Sequence, residues 1–464
     1  MINEETMSSS QFEHVCETVQ QEMNRLPIPG VAVGVLDGDA EHIAGFGVTN
    51  VAMNSIATSP PVTRDTLYQI GSITKTFLGT LVMRLVEMGK LDLHAPLKNY
   101  LPELKLRDEN ATQHATMFHC LTHTGGWDGD YFDDFGRGED ALARMVIAME
   151  QLPQLTPLGE VWSYNNAGFY LAGRVIEIVT GKSFEAAMQE YLFEPLELKS
   201  AYFFAEDVIT HNFVVGHETE NKKPVVARPW AVARTANPAG GIITNISDLF
   251  RYARFQMGDG TTRNGSRLLA KQSLQEMHAP RFAATDPEWV GLTWYMREVN
   301  GVKILRHNGG TNGQVTSFNI VPARNLAFAI LTNGDQGNTL INSVTRTILE
   351  QYLGVSPKAD SSIEMPLPKL NEYAGDYDAR SDNVSVTLRD GELILQVTNK
   401  GGFPTPADPP PPTQPPPVRA AFYANDKIFL RDDPYKDTHC EFLRDENGKI
   451  EWLRIFGRVH KKVS

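Results

Sequence analysis

Apolar residues spaced three or four apart, Phe12, Val15, Val19 and Met23, lie on one face of residues 10–25 and predict an amphipathic helix. The period then shortens. Val31–Leu36 and His42–Phe46 read as strands around the turn Asp37-Gly38-Asp39. Leu78, Leu81, Val82, Leu85 and Val86 return to helical spacing in a stretch that is apolar nearly all round, so this helix should be buried and should end near Gly89. From about residue 100 to 250 the pattern is mainly helical, clearest over Asn166–Thr180 (closed by Gly181) and Ser247–Met257. Strand patterns resume at Leu292–Arg297, Val302–Arg306, Val315–Val321 and Leu326–Thr332, and a last helix is expected over Leu340–Leu353. Strands at both ends of a helical middle predict an α/β (α+β) unit over residues 1–355. Its sheet is drawn from both termini, and its helical insertion covers about 100–250.

The texture changes over 356–368, a Pro- and Ser-containing linker. Residues 369–464 then read as all-β: Val384–Leu388, Glu392–Val397, Ala420–Tyr423, Ile428–Leu430, Cys440–Arg444 and Ile450–Ile455, with turns at Asp390-Gly391 and Asn447-Gly448. Short strands in meander order fit a small barrel. The proline-dense run Pro404–Pro417 cannot pair in a sheet and should form a polyproline-type loop, a solvated spacer in preference to an SH3-type ligand.

Composition narrows the function classes. The 464-residue chain has a net charge of −13, which argues against nucleic acid or an anionic membrane as its partner. No apolar run reaches membrane-span length, and the acidic start Met1–Glu5 lacks a signal-peptide core. The three cysteines, Cys16, Cys120 and Cys440, show neither metal-ligand nor disulfide spacing, so a reducing, cytoplasmic compartment is expected.

Ser72 and Lys75 carry the first candidate chemistry. Residues three apart on a helix share a face, so an amine sits where it can take a serine proton. The start of a buried helix also offers free N–H groups to an oxyanion. Alone, the pair is weak evidence and reads more readily as a helix-capping serine with a solvated lysine. Tyr164 and Asn166 stand directly before a predicted helix. A phenol with a reference pKa of about 10 needs a nearby cation to act as a base at neutral pH, and Lys75 could supply it. His307-Asn308-Gly309-Gly310 lies between two predicted strands, where glycines allow close backbone approach to a ligand.

Together, Ser72-x-x-Lys75, Tyr164-x-Asn166 and His307-x-Gly309 resemble, in order and spacing, the three motifs of class C β-lactamases and their relatives, the family VIII esterases and D-aminopeptidase-like enzymes. Thr116–Gly126, Pro157–Trp162 and Pro238–Gly241 extend the likeness, which spans roughly residues 10–355. The tail resembles the lipocalin-like domain of some members. The resemblance implies an antiparallel sheet flanked by helices, as in penicillin-binding proteins. It also implies an acylated Ser72, Lys75 holding its proton, Tyr164 as acid or base, Asn166 orienting Lys75 and substrate, and an oxyanion hole from the Ser72 and Gly310 N–H groups, with Gly309 beside them. The order of proton transfer between Lys75 and Tyr164 stays open.

One departure redirects the chemistry. Class C β-lactamases begin the third motif with lysine, and here it is His307, mostly neutral at pH 7. Weak β-lactam turnover is therefore expected, with cleavage of esters or small amides as the first reading and action on peptides with D-residues or on peptide amides as the alternative. Acyl transfer to an amine is the alternative outcome, a non-catalytic binding relative is the minor one, and no cofactor or metal is expected. Asp128, Asp130, Asp133 and Asp134 read as a solvated acidic loop at the rim that would disfavour anionic substrates. His119 and His123, four apart like a zinc pair, read as structural. The sequence leaves room for a homo-oligomer.

Overall fold

The computed structural model describes residues 4–52, 59–358, 360–401 and 414–464. Much of the proline-dense run, 404–413, lies outside the described residues.

The main sheet has eight strands and draws on both ends of its domain. Ala40–Gly47 is one edge, followed by Gly30–Asp37, Leu326–Thr332, Gln314–Val321, Val302–Thr311 and Tyr295–Val299, and then two short strands, Trp289–Val290 and Phe282–Ala283. Every adjacent pair is antiparallel, with Val31 opposite Thr332 joining the N-terminal strands to the later ones. Gly30–Asp37 and Leu326–Thr332 are buried on both faces, which explains their near-continuous apolar runs. Leu326, Phe328 and Ile330 face one core, shared with Val15, Val19, Leu340 and Val344 of the helices Glu4–Arg25 and Gly337–Ile348. Ala327, Ala329 and Leu331 face the other, packed with Phe77, Leu81, Ile246 and Phe250 of Thr74–Glu87 and Ile246–Met257.

Residues 100–250 are mainly helical and also carry two short pairings the pattern does not reveal, His217–Glu220 with Lys223–Val226 and Ile243–Thr244 with Tyr68–Gln69. The expected strand Leu292–Arg297 starts later, at Tyr295, because Leu292–Trp294 turns into the helical core and Thr293 takes a positive φ of 70°. The C-terminal strands close into an eight-stranded barrel with its own core. It includes two strands the hydrophobic pattern does not reveal, Gly375–Asp378 and Arg458–Lys462.

Candidate active site

Ser72 sits on a 3-10 turn, Gly71–Ile73, that runs directly into the helix Thr74–Glu87. Gly71 has a φ of +51°, and a Cβ there would stand 2.6 Å from the Gly310 nitrogen. The turn is thus pressed against the strand carrying the third motif, and only glycine meets both demands. Gly309 is equally tight, since its Cβ would fall 1.9 Å from the Ile70 carbonyl oxygen. Strand pairing on that side of Val302–Thr311 stops at Arg306, so the backbone of Gly309 and Gly310 faces the Ser72 turn instead of another strand. The first N–H groups of a helical segment have no partner within it, so this packing sets the Ser72 amide beside Gly310.

Lys75 is fully buried. Its Nζ lies 3.0 Å from Ser72 Oγ and donates to the Ala239 carbonyl at 2.7 Å. It also lies 5.0 Å from the centre of the Tyr164 ring. Tyr164 is buried, with Ser72 in hydrogen-bonding reach of its hydroxyl. His123 stacks on Tyr164 at 4.5 Å. Its Nδ1 accepts the Asn165 N–H at 2.9 Å, placing the proton of the neutral ring on Nε2. His307 is buried beside them, and its Nδ1–H donates to the Asn308 carbonyl at 2.6 Å.

The barrel reaches into the same place. Gly457 accepts the Tyr164 N–H at 2.8 Å, and Ser163 Oγ accepts the Val459 N–H at 3.2 Å. Arg458 holds Asp130 through Nε (2.8 Å) and Nη2 (3.1 Å), and its guanidinium lies 4.8 Å from the Tyr164 ring centre. Ser72, Tyr164, Asn166, His307, Gly309 and Gly310 line one cavity of about 670 Å³, and Ser381, Asp382, Phe456 and Arg458 of the barrel line it too.

The β-lactamase family model matches residues 15–353. The chain belongs to the β-lactamase family. Penicillin-binding protein 4 of Amycolatopsis lactamdurans is 32% identical over 76% of this chain and 93% of its own length. "Unguisins hydrolase ungD'" of Aspergillus campestris is 25% identical over 85% of this chain and 72% of its own. Among solved structures, SurE with D-Leu superposes with a TM-score of 0.76 at 22% identity, covering 99% of this chain and all of that one, which establishes a shared two-part fold.

The structure brings all seven sequence-identified residues of this β-lactamase-family site together, and it revises several readings of them. Lys75 does not favour a tyrosinate. Burial, and then the Arg458 guanidinium, press the Lys75 pKa well below the ordinary lysine value, with Asp130 opposing. Burial lifts Tyr164 above the usual phenol range although Ser72 and Arg458 pull the other way. The resting pair is therefore biased toward a neutral amine and a neutral phenol. His307 falls to about 3, through burial first and Lys75 second, so it is neutral at any working pH. Asn166 does not orient Lys75; its amide donates to Asp130 Oδ1 at 3.0 Å, and the Ala239 carbonyl aligns the lysine instead.

The acidic loop is not uniformly solvated. Asp128 and Asp130 are buried, and Asp130 is paired with Arg458. His119 caps a helix in a reciprocal capping box with Thr116, and His123 packs on Tyr164. Among the described residues, no cluster of three or more His, Cys, Asp or Glu is arranged for a metal, and the three cysteines are free thiols. No helix among them is long and apolar enough to cross a membrane. Arg458 is the site residue that sequence reasoning missed, while Asp130 and His123 were read in other roles. The one signal for Arg458 was indirect, the missing cation of the third motif.

Proposed function

We propose that this protein is a serine acyltransferase or hydrolase that forms an acyl-enzyme at Ser72 from peptide-like esters or amides. The observation that carries this reading is the Lys75 amine, buried and biased to its neutral form, 3.0 Å from Ser72 Oγ. Ser72 Oγ attacks the substrate carbonyl as its proton passes to Lys75 Nζ. The tetrahedral oxyanion rests on the Ser72 and Gly310 N–H groups. Collapse breaks the bond to the leaving group, which takes a proton relayed from Lys75 through Tyr164. Water, or an amine, then attacks the acyl-enzyme with Tyr164 and Lys75 receiving its proton, and Ser72 Oγ leaves protonated.

The cavity supports peptides over small esters alone. About 670 Å³, walled by both domains, exceeds what a short acyl chain fills. Relatives of this chain are named for penicillin binding and for unguisin hydrolysis. A neutral His307 in the third motif supports poor β-lactam turnover. The deciding experiment incubates wild type and Ser72→Ala with p-nitrophenyl butyrate, D- and L-amino acid amides and a chromogenic cephalosporin, following product release and protein mass. A Ser72-dependent acyl adduct with ester or amide is expected. Equal product release by both proteins would overturn the reading.

A further inference from the structure

Arg458 enters the site on a strained support. The strands Ile450–Ile455 and Arg458–Lys462 are joined by two residues, Phe456 and Gly457, with φ of 51° and 75°. Both central residues of a type I′ turn need positive φ, which Asn-Gly supplies readily and a bulky phenylalanine adopts rarely. Backbone strain of this kind collects where position matters for function. Here the turn delivers three contacts at once to the segment 163–164 and to Asp130: the Gly457 carbonyl, the Val459 N–H and the Arg458 fork. Behind it, fully buried His460 is held through Nε2 by Asp382 Oδ1 at 2.5 Å, anchoring the strand that carries the arginine. Asp130 in turn grips the Asn166 amide, so one carboxylate ties the barrel to the second motif.

We propose that Arg458 is the positioning cation of this active site, supplying from the barrel the electrostatic role that a lysine would fill in the third motif, so that docking of the barrel completes the catalytic centre. The proposal rests on the acyl-enzyme reading and adds to it the source of the fixed positive charge.

The two members of the ion pair act in opposite senses on both proton carriers. Arg458 disfavours protonated Lys75 and favours ionised Tyr164, and Asp130 does the reverse to each. Whichever group receives the Ser72 proton, removing the arginine alone raises its pKa, and removing the carboxylate charge alone lowers it. The other titratable groups packed around the pair leave this sign intact. His123 and His307 are held neutral by burial, and Tyr170 and Tyr295 are held well above the phenol range. Glu288 is paired with Arg306, and Asp382 with His460.

The test uses the full chain and an uncharged ester, so that no substrate carboxylate is read. Pre-steady-state acylation by p-nitrophenyl butyrate is followed from pH 5 to 10, with circular dichroism and a melting curve for each variant. Arg458→Met should slow acylation at pH 7 by about 10²-fold, the scale of a displaced acid–base group, and move the acid limb of the profile to higher pH. Arg458→Lys should bring the limb back toward wild type. Asp130→Asn should move it to lower pH, and Asp130→Asn/Arg458→Met should lie between the two single variants. A limb that stays put in Arg458→Met, or a pH-independent loss that lysine does not rescue, would overturn the proposal and leave a purely structural ion pair. Should Arg458→Met not fold, Asp130→Asn still decides: no shift to lower pH sinks the idea. Absence of any acylation in wild type would instead remove the acyl-enzyme reading itself.

Discussion

Lys75 Nζ is within reach of three different groups, the Ser72 hydroxyl, the Ala239 carbonyl and the Tyr164 ring, and each would suit a different protonation state. Its complete burial decides among them, because a charged amine there loses hydration that one carbonyl does not replace. A neutral lysine is a proton acceptor; a guanidinium never is. Lys75→Arg is therefore expected to slow Ser72 acylation by about 10³-fold or more, within the range for lost general-base catalysis, with no recovery between pH 6 and 10 in single-turnover assays. Substantial activity in that variant would mean that residue 75 works only as a cation supporting a tyrosinate. The residue identities of this site were legible because Ser72, Lys75, Tyr164 and His307 each lie in a short local pattern. Arg458 was not, since nothing within the run Arg458-Val459-His460-Lys461-Lys462 announces a partner hundreds of residues upstream. The protonation states were hidden for the same reason, as burial belongs to the fold and not to the motif.

At the level of elements, the site depends on two backbones meeting without side chains between them. Gly71 and Gly309 make that approach, and Gly240 beside them is a natural control, since its Cβ would meet the Gly71 backbone at an ordinary 3.5 Å. Gly71→Ala adds a left-handed φ penalty of about 1 kcal/mol to a backbone clash. It is expected to lower the acylation rate by at least about 10²-fold, the size of losing one oxyanion donor. Gly240→Ala should stay within a few-fold. Burst amplitudes measured beside melting temperatures separate the two effects, and equal rates in the two variants would refute the claim that Gly71 sets the Ser72 amide against Gly310. Most elements were legible because their periodicity is strong, above all the doubly buried strand Leu326–Thr332. Gly375–Asp378 is short and polar, and Arg458–Lys462 buries only Val459 and His460, so neither shows a clear alternating pattern. Their strand character comes from closing a barrel, which no local window records.

Across the whole molecule, the barrel is joined to the larger domain by directed polar contacts as well as by packing. Trp452 Nε1 donates to the Leu155 carbonyl at 3.1 Å and Arg454 to the Ala284 carbonyl at 3.0 Å, flanking the Arg458 contact. Burial also gives the fold a characteristic response to acid. His123, His278 and His307 are held neutral in the native state, with His278 and His307 both near pH 3 and burial the leading cause for all three. In the unfolded chain each titrates near 6.5. Below that pH the unfolded state binds more protons, so native stability is complete above about 6.5 and falls as pH drops toward 3, by up to about 1.4 kcal/mol per pH unit for each histidine. Asp128 works against them. Burial and the neighbouring Asp130 raise it to about 6, so between roughly 6 and 4 the folded state takes up a proton there and offsets one histidine. His278 is the cleanest probe because it lies away from Ser72, its Nε2 meeting Gln256 Oε1 at 3.0 Å and its ring set edge-on against Trp294. Glutamine can keep the donated hydrogen bond but cannot titrate. Urea midpoints of wild type and His278→Gln, taken at pH 7, 6, 5 and 4.5, should converge as pH falls, with the variant's slope shallower by about one proton's worth, 1.4 kcal/mol per pH unit. Parallel curves would show that His278 keeps a normal affinity for protons and that acid sensitivity has another origin.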